Sequence, residues 1–288
     1  PFIFPIDVPY LRPLNRTKMG NMKLSAPLPF MGQKRMFAKE YIKVLKNYPD
    51  NALFVDLFGG SGLLSHIAKR IKPSATVIYN DYDNYRLRLS HIPDTNRLLA
   101  DLRSIAEGCE RHKPITGKTR EEILSRIAQE SYVDFITISS SLTFSMKYVM
   151  NMDSLRKETL YNNIRRQDFP LNEDYLDGIE IASCDYKELF DQYKDDHNAV
   201  FLIDPPYLST EVGTYTMSWG LSDYLDVLRT LVGTRYIYFT SNKSSIIELC
   251  EWMGNNQGLG NPFTGCERKE FNAHMNYSSA YTDIMLYN

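Results

Sequence analysis

The 288-residue sequence lacks several features that mark specialised classes of protein. Its four cysteines, Cys109, Cys184, Cys250 and Cys266, are far apart and form no C-x-x-C pair, so no zinc site or redox pair is predicted. No apolar run approaches the roughly eighteen residues of a membrane helix, and the N-terminal residues lack a secretory pattern. Hydrophobic residues make up 43% of the chain, which excludes a disordered protein. We therefore expect a globular protein of the cytosol with no metal site and no membrane association.

The sequence also has little net charge, because 33 Lys+Arg against 35 Asp+Glu give −2. A sum near zero argues against a nucleic-acid-binding protein, but binding depends on how the charges are distributed. Residues 1–50 contain nine basic and three acidic residues, whereas residues 171–211 contain eleven acidic and two basic ones. We therefore predict a basic N-terminal arm over residues 1–28, whose candidate contacts with a polyanion are Arg12, Arg16 and Lys18. A solvated face without a partner remains the alternative for each residue.

Strand and helix patterns alternate over much of the chain. An apolar run at 52–58 leads into Gly59-Gly60-Ser61-Gly62, helical spacing follows at 63–71, and a β-branched run at 75–79 completes a βαβ unit. Further strands are predicted near 178–183, 199–203, 236–240, 268–271 and 282–287, with helices near 186–193 and 222–231. This alternation indicates an α/β fold with a mostly parallel sheet, in which ligands bind at the carboxyl ends of the strands.

The sequence pattern in the middle of the chain differs from the strand–helix alternation on either side: it has long helical patterns and a cluster of basic residues. We predict a helical insertion at 98–178 between two parts of an α/β domain, 29–97 and 179–288. The basic residues of the insertion are a second candidate surface for phosphates, again with a solvated face as the alternative: Lys147, Arg156, Lys157, Arg165 and Arg166.

The glycine turn after the first strand would let a ligand approach the backbone closely. It is not G-x-G-x-x-G, and no Lys-Ser/Thr follows it, so a nicotinamide dehydrogenase or a P-loop is disfavoured and a nucleoside without a pyrophosphate fits better. Asp81 ends the second strand about twenty residues later, where an acid can accept both hydroxyls of a ribose. A ligand-free turn and a helix-capping role for Asp81 are the alternatives.

Asp204-Pro205-Pro206-Tyr207, directly after the apolar strand at 199–203, carries the most specific chemistry. The prolines supply no N–H donors, so carbonyl oxygens and the Asp204 carboxylate remain as acceptors. Tyr207 offers a stacking face beside them. The combination suits a flat ring with an exocyclic amino group, although an ordinary proline turn is the alternative.

With these motifs, the sequence resembles the amino-group DNA methyltransferases, specifically the Dam-type adenine-N6 (DPPY) family. The matching segments are Pro29–Lys34, Asp56–Gly62, Asp81, Ser183–Tyr186, Asp204–Tyr207 and Tyr281–Asn288. The resemblance covers about 29–100 and 179–288, and the insertion occupies the place of that family's target-recognition region. It implies a Rossmann-like methyltransferase fold and S-adenosyl-L-methionine as the cofactor. The implied cofactor-binding residues are Phe30, Gly32, Lys34, Asp56, Phe58, Gly59, Gly60, Asp81, Asp185, Tyr186 and Asp204, and the implied catalytic residues are Asp204, Pro205, Pro206 and Tyr207.

The resemblance further implies methylation of an adenine that is flipped out of double-stranded DNA in a bacterial or phage-infected cell, in association with the nucleoid. A cognate restriction endonuclease would then be a partner, and the protein could act as a monomer. The alternatives are an RNA adenine-N6 methyltransferase, a cytosine-N4 enzyme, and an inactive nucleic-acid-binding module with the same fold. The recognition sequence is not predicted.

Overall fold

The structure, a computed structural model, describes residues 24–144, 147–171, 174–206, 219–256, 260–276 and 279–288, and for 272–276 and 279–280 the backbone alone. The central sheet has seven strands in the order β5-β2-β1-β6-β7-β9-β8. Its strands are β1 Leu53–Asp56, β2 Thr76–Asn80, β5 Glu180–Ala182, β6 Ala199–Ile203, β7 Arg235–Ser241, β8 Glu267–Asn276 and β9 Ser279–Tyr287. All pairs are parallel except those that β9 makes with β7 and β8. The predicted α/β fold with a mostly parallel sheet is confirmed.

Helices cover both faces of this sheet because its central strands are apolar on both sides. Phe54 and Val200 face a core formed with α1 Ala38–Leu45 and α2 Leu63–Ile71. Val55 and Phe201, the next residues along the same two strands, face the opposite core, formed with α8, α9 and α10. These helices are α8 Tyr186–Tyr193, α9 Leu221–Leu231 and α10 Ile246–Gly254. The alternation buries both faces and leaves the strand ends as the accessible edges.

Between β2 and β5 the chain forms a third core, to which Leu28 from the segment before β1 also contributes. Its elements are α3 Tyr85–Ser90, α4 Ile92–Ile105, β3 Pro114–Ile115, α5 Gly117–Ala128, α6 Phe135–Leu142, α7 Met152–Arg156 and β4 Leu160–Tyr161. Helices make up most of this segment, and the antiparallel pair of β3 and β4 was not expected. Helix α4 runs across position 98, so the proposed boundary falls inside a helix, and the domain division stays a prediction. Within the described residues, no helix is long and apolar enough to span a bilayer.

Candidate active site

Strand β1 ends at Asp56, whose side chain is fully buried. The Ser65 hydroxyl donates a 2.7 Å hydrogen bond to Asp56 Oδ2, whereas Oδ1 is buried without a hydrogen-bond partner in the described part of the chain. Burial raises the pKa of Asp56 to about 7; the hydrogen bond from Ser65 opposes this rise and the negative charge of Asp204 adds to it. An unpartnered buried acceptor is costly, so Oδ1 is suited to a ligand that donates a hydrogen bond or carries positive charge.

The loop after β1 passes directly over the ring of Tyr79. A Cβ atom at Gly59 would lie 2.1 Å from that ring and 2.8 Å from the carbonyl oxygen of Asn80. Gly60 and Gly62 have φ angles of 50° and 69°, a region in which glycine is unstrained. The Tyr79 hydroxyl donates a 2.7 Å hydrogen bond to the carbonyl oxygen of Gly60. The glycines therefore form a loop whose surface is backbone alone, a cradle, and the side chain of Tyr79 supports it.

The predicted N-terminal cofactor motif reaches the same edge of the sheet. The ring of Phe30 lies against the glycine loop, 3.0 Å from where a Cβ atom of Gly60 would be. Lys34 is 8% exposed, and its Nζ donates a 2.8 Å hydrogen bond to the carbonyl oxygen of Gly32. The same Nζ lies 2.7 Å from Asp204 Oδ2. Two motifs 170 positions apart in the sequence thus meet in one ion pair.

Asp204 directly follows β6, and the buried residues Pro205 and Pro206 come after it. Burial raises the pKa of Asp204, and the positive charge of Lys34 limits the rise. Asp283 on β9 is a further buried carboxyl group near this pair: burial raises its pKa, Lys34 lowers it, and the charge of Asp204 raises it. The sequence interpretation missed Asp283; its signal was an acidic residue inside the apolar last strand.

Asp81 lies at the end of β2, as predicted, and is 5% exposed. Its Oδ1 accepts a hydrogen bond from the Tyr85 backbone N–H at 2.6 Å and lies 3.0 Å from the Tyr79 hydroxyl, a second candidate acceptor for the one hydrogen of that hydroxyl. Oδ2 accepts a hydrogen bond from the Arg86 backbone N–H at 3.1 Å. Asp81 therefore caps α3, which is the alternative that the sequence left open. Contact with a ribose stays a prediction.

Aromatic rings gather at the same edge of the sheet, between the glycine loop and the starts of α8 and α9. Asp185 caps α8 by accepting a 2.8 Å hydrogen bond from the Lys187 backbone N–H. The next residue, Tyr186, is buried, and its ring centroid lies 4.9 Å from that of Phe58. Trp219 completes the group at 5.6 Å from Phe58 and 5.8 Å from Tyr186. The sequence interpretation placed Phe58 and Tyr186 here and missed Trp219, which no recognised motif contains.

The strand order arranges these groups along a line. Asp185 follows β5, Asp81 follows β2, Asp56 ends β1 and Asp204 follows β6, and these four strands are neighbours in that order. At about 4.8 Å per strand the row spans about 14 Å. The chain leaves β1 toward β2 on one side and returns in β6 on the other, which makes the β1/β6 boundary the switch point where ligands of such sheets bind.

The five basic residues predicted to contact phosphates in the insertion are all exposed: Lys147, Arg156, Lys157, Arg165 and Arg166. Lys147 pairs with Glu158 at 2.8 Å, and the guanidinium of Arg165 lies 4.5 Å from the ring centroid of Phe169. Their contacts with nucleic acid stay predictions. Four further predicted residues lie outside the described residues, and their roles likewise stay predictions: Arg12, Arg16, Lys18 and Tyr207.

The site fits S-adenosyl-L-methionine on three observations. Among the residues that the structure describes, none donates to the buried Asp56 Oδ1, and an ammonium group would supply that donor. The glycine cradle would be filled by any Cβ atom at Gly59. Aromatic rings and a carboxylate at Asp185 suit an adenine, and Lys34 suits a carboxylate.

Two comparisons with known proteins identify the family of the chain. The family model described as "D12 class N6 adenine-specific DNA methyltransferase" matches residues 30–227. A protein of Haemophilus influenzae (strain Rd) named "Putative methyltransferase" is 37% identical over 289 residues, 96% of this chain and 97% of that protein. The α/β fold with its mostly parallel sheet is the expected Rossmann-like methyltransferase fold. The chain belongs to the D12 class N6 adenine-specific DNA methyltransferase family.

Proposed function

We propose that the protein transfers a methyl group from S-adenosyl-L-methionine to the N6 amino group of an adenine in duplex DNA. The observation that carries this proposal is the position of Asp204. Its carboxylate stands at the switch point of the sheet, one strand from the glycine loop and 2.7 Å from Lys34. A carboxylate and proline carbonyls beside a cofactor cradle are the acceptors that an aromatic amino group requires.

The residues along the sheet edge would bind an extended cofactor in a fixed direction. Asp185 and the rings of Phe58 and Tyr186 would take the adenine, and Asp81 would lie beside the ribose. Asp56 and Lys34 would then hold the ammonium and carboxylate groups of the methionine end. When bound, the cofactor supplies an already activated methyl group. The chemical groups of the ligand would then follow the order of the strands, β5-β2-β1-β6.

Asp204 would act on the nucleophile. An adenine amino nitrogen shares its lone pair with the ring, and hydrogen bonds from its two N–H groups to Asp204 and to the Pro205 carbonyl would localise that pair toward the methyl group. Orientation and electrostatics supply the rate in such an arrangement. Lys34 favours the charged, accepting form of Asp204 against burial. The proton leaves the nitrogen after methyl transfer, so Asp204 need not act as a full base.

The adenine must leave the duplex to reach Asp204, at a cost of about a few kcal/mol. We infer that Tyr207 stacks on the flipped base and that basic residues of the arm and the insertion hold the phosphates. An RNA adenine or a cytosine N4 amino group could use the same acceptors. The description of the matched family names DNA and N6 of adenine, and it therefore favours the adenine of duplex DNA over these two alternatives.

The proposal is tested by incubating the protein with methyl-labelled S-adenosyl-L-methionine and separate pools of unmethylated DNA and RNA. Digestion to nucleosides then identifies both the polymer and the base. We expect label in N6-methyl-2′-deoxyadenosine from DNA. Label in RNA alone, or in N4-methylcytosine, would show that the proposed substrate is wrong. The absence of label in both polymers would contradict methyl transfer to nucleic acid.

A further inference from the structure

Trp219 occupies a place that the proposed mechanism leaves without a role. Its indole lies in van der Waals range of three rings, with centroid distances of 5.6 Å to Phe58, 5.8 Å to Tyr186 and 5.4 Å to Tyr224. The planes of Trp219 and Tyr186 are inclined by only 26°. Trp219 therefore belongs to the aromatic group beside the glycine loop, although it lies 161 positions after Phe58 in the chain.

The position of Trp219 is set by the start of α9. Gly220 is the N-cap residue of that helix, and its backbone N–H donates a 2.8 Å hydrogen bond to Asp223 Oδ2. The Tyr186 hydroxyl donates to the Asp223 carbonyl oxygen at 3.4 Å, which ties the beginnings of α8 and α9 together. The indole is thus held by ordered elements at the carboxyl edge of the sheet.

The three rings differ in how far they are exposed to solvent. Tyr186 is 5% exposed, whereas Phe58 and Trp219 are only half-buried. A half-buried indole beside a glycine cradle leaves a large apolar face for a ligand, and aromatic faces bind flat heterocycles by stacking. The carboxylate of Asp185 precedes Tyr186 and is suited to an exocyclic amino group. A stacking face and a carboxylate acceptor together match an adenine.

We propose that Trp219 forms one wall of the adenine pocket of the cofactor site and contributes to its affinity for adenine nucleosides. The inference rests on the proposed use of S-adenosyl-L-methionine and adds a residue that no sequence motif assigns. Trp219 also follows, along the chain, the segment that begins with the catalytic Asp204. The adenine of the cofactor and the acceptors for the substrate are thereby bound by the two ends of one stretch of chain.

Fluorescence tests the inference directly, because the protein has only two tryptophans. The other, Trp252, lies on α10 and is 58% exposed, so Trp252→Phe leaves Trp219 as the only indole. We expect saturable changes in the emission of this variant with S-adenosylhomocysteine and with adenosine, and none with methionine. Unchanged emission while calorimetry shows that S-adenosylhomocysteine binds would overturn the role of Trp219 and leave the proposed function intact. If calorimetry shows no binding to the unaltered protein, the proposed function fails as well.

Affinity gives a second readout. Trp219→Ala should raise the Kd of S-adenosylhomocysteine at least about fivefold, the lower end for loss of a stacking contact, whereas Trp219→Phe should stay within about threefold of the unaltered protein. Trp252→Ala is the matched control and should not change Kd. A stacking role raises KM for the cofactor more than it lowers kcat at saturation. Equal affinity of Trp219→Ala and the unaltered protein would contradict the inference, and if Trp219→Ala does not fold, the fluorescence titration decides.

Discussion

Two carboxyl groups lie at the switch point: Asp56 is fully buried and Asp204 is half-buried, and they have different neighbours. Asp204 has the ammonium group of Lys34 at 2.7 Å. Asp56 has a hydroxyl donor from Ser65, an oxygen with no hydrogen-bond partner among the described residues, and a pKa raised to about 7. Asp56 is therefore the group that gains most from a cationic ligand, because a positive charge offsets the cost of its burial.

Cofactor affinity should consequently depend on pH. Asp56 is neutral below about pH 7 and charged above it, and only the charged form pairs with an ammonium group. The affinity for S-adenosylhomocysteine should therefore rise between pH 6 and pH 7.5, by at most about tenfold per unit. Titration calorimetry at several pH values measures this. Asp56→Asn should bind weakly at every pH in this range, and an equally steep pH dependence in that variant would show that another group is responsible.

The same carboxyl group has the opposite effect on the ligand-free fold. Its folded pKa lies above the unfolded value near 3.8, so the folded state binds the proton more strongly. The contribution of Asp56 to the free energy of unfolding is then largest below about pH 4 and is lost as pH rises toward 7. Binding of the proposed cofactor at neutral pH would offset this loss, because its ammonium group would pair with the charged carboxylate.

Some residues of the candidate site could be predicted from sequence motifs and others could not. Phe30, Lys34 and Asp204 could be named because each belongs to a local motif, and the structure brings them to one edge. The contacts of Asp283 and Trp219 depend on pairing and packing with elements distant in the chain, and no local pattern encodes them. Asp81 shows a third case, since its position was predicted but its helix-capping bonds could not be told from ribose binding before the geometry was known.

At the scale of elements, the strand–loop–helix unit of β1 and α2 determines how closely a ligand can approach. Gly59→Ala would place a Cβ atom 2.1 Å from the ring of Tyr79, so the loop must shift. We expect the free energy of unfolding to fall by about 1–3 kcal/mol and the Kd of S-adenosylhomocysteine to rise at least about tenfold. Urea unfolding and calorimetry measure the two effects. Gly233→Ala is the control for affinity, because its φ of 78° strains an alanine there while its Cβ atom would meet nothing within 4 Å, and it lies before β7 at the opposite, amino edge of the sheet. An equal rise in Kd for both variants would contradict the cradle.

Helices α3 and α6 are joined by a buried ion pair between Arg88 and Asp134. The side chains are 8% and 1% exposed, with Nε and Oδ2 3.0 Å apart. Arg88 also donates a 2.7 Å hydrogen bond to the carbonyl oxygen of Pro29, next to the cofactor motif. The pair thus links the insertion to the segment that carries Phe30 and Lys34.

Arg88→Met should lower the free energy of unfolding by about 3–5 kcal/mol, because Asp134 would remain buried without its partner. Denaturant unfolding measures this loss. Lys147→Met removes a cation from an exposed ion pair and should change stability by no more than about 1 kcal/mol. A comparable small effect of Arg88→Met would mean that water or another donor satisfies Asp134.

The elements of the sheet were largely predictable, because buried strands and amphipathic helices have strong periodic signals. Helices α1 and α10 were not predicted, although Ala38, Tyr41 and Leu45 have helical spacing in α1. The pairing of β3 with β4 involves only two residues on each strand, and the paired residues are 45 and 47 positions apart, so the pairing leaves no local pattern in the sequence.

At the scale of the whole molecule, a net charge of −2 does not describe the surface that would meet DNA. The carboxyl edge of the sheet contains acidic groups that are buried or paired, as with Asp204 and Lys34. The predicted phosphate contacts of the insertion are all exposed. In the described part of the chain, no hydrogen bond or ion pair engages the side chains of Lys157 and Arg166, so both are available to phosphates.

DNA affinity should therefore fall at least about tenfold between about 50 and 200 mM salt. Replacing both Lys157 and Arg166 by Ala should reduce the slope of log affinity against log salt by about two, and fluorescence anisotropy with a labelled duplex measures this. Lys46 and Lys194 precede β1 and β6 at the opposite, amino edge of the sheet. Replacing that pair should leave the slope unchanged, and equal losses from both pairs would contradict a localised DNA surface.

The central claim is that Asp204 promotes methylation of adenine N6 in DNA. It is tested most directly by expressing the protein in a host without adenine methylation and measuring the nucleosides of its DNA by mass spectrometry. We predict N6-methyl-2′-deoxyadenosine in DNA from cells with the unaltered protein and none from cells with Asp204→Ala, at matched amounts of folded protein. Equal amounts of the methylated nucleoside in both samples, or none in either, would contradict the account.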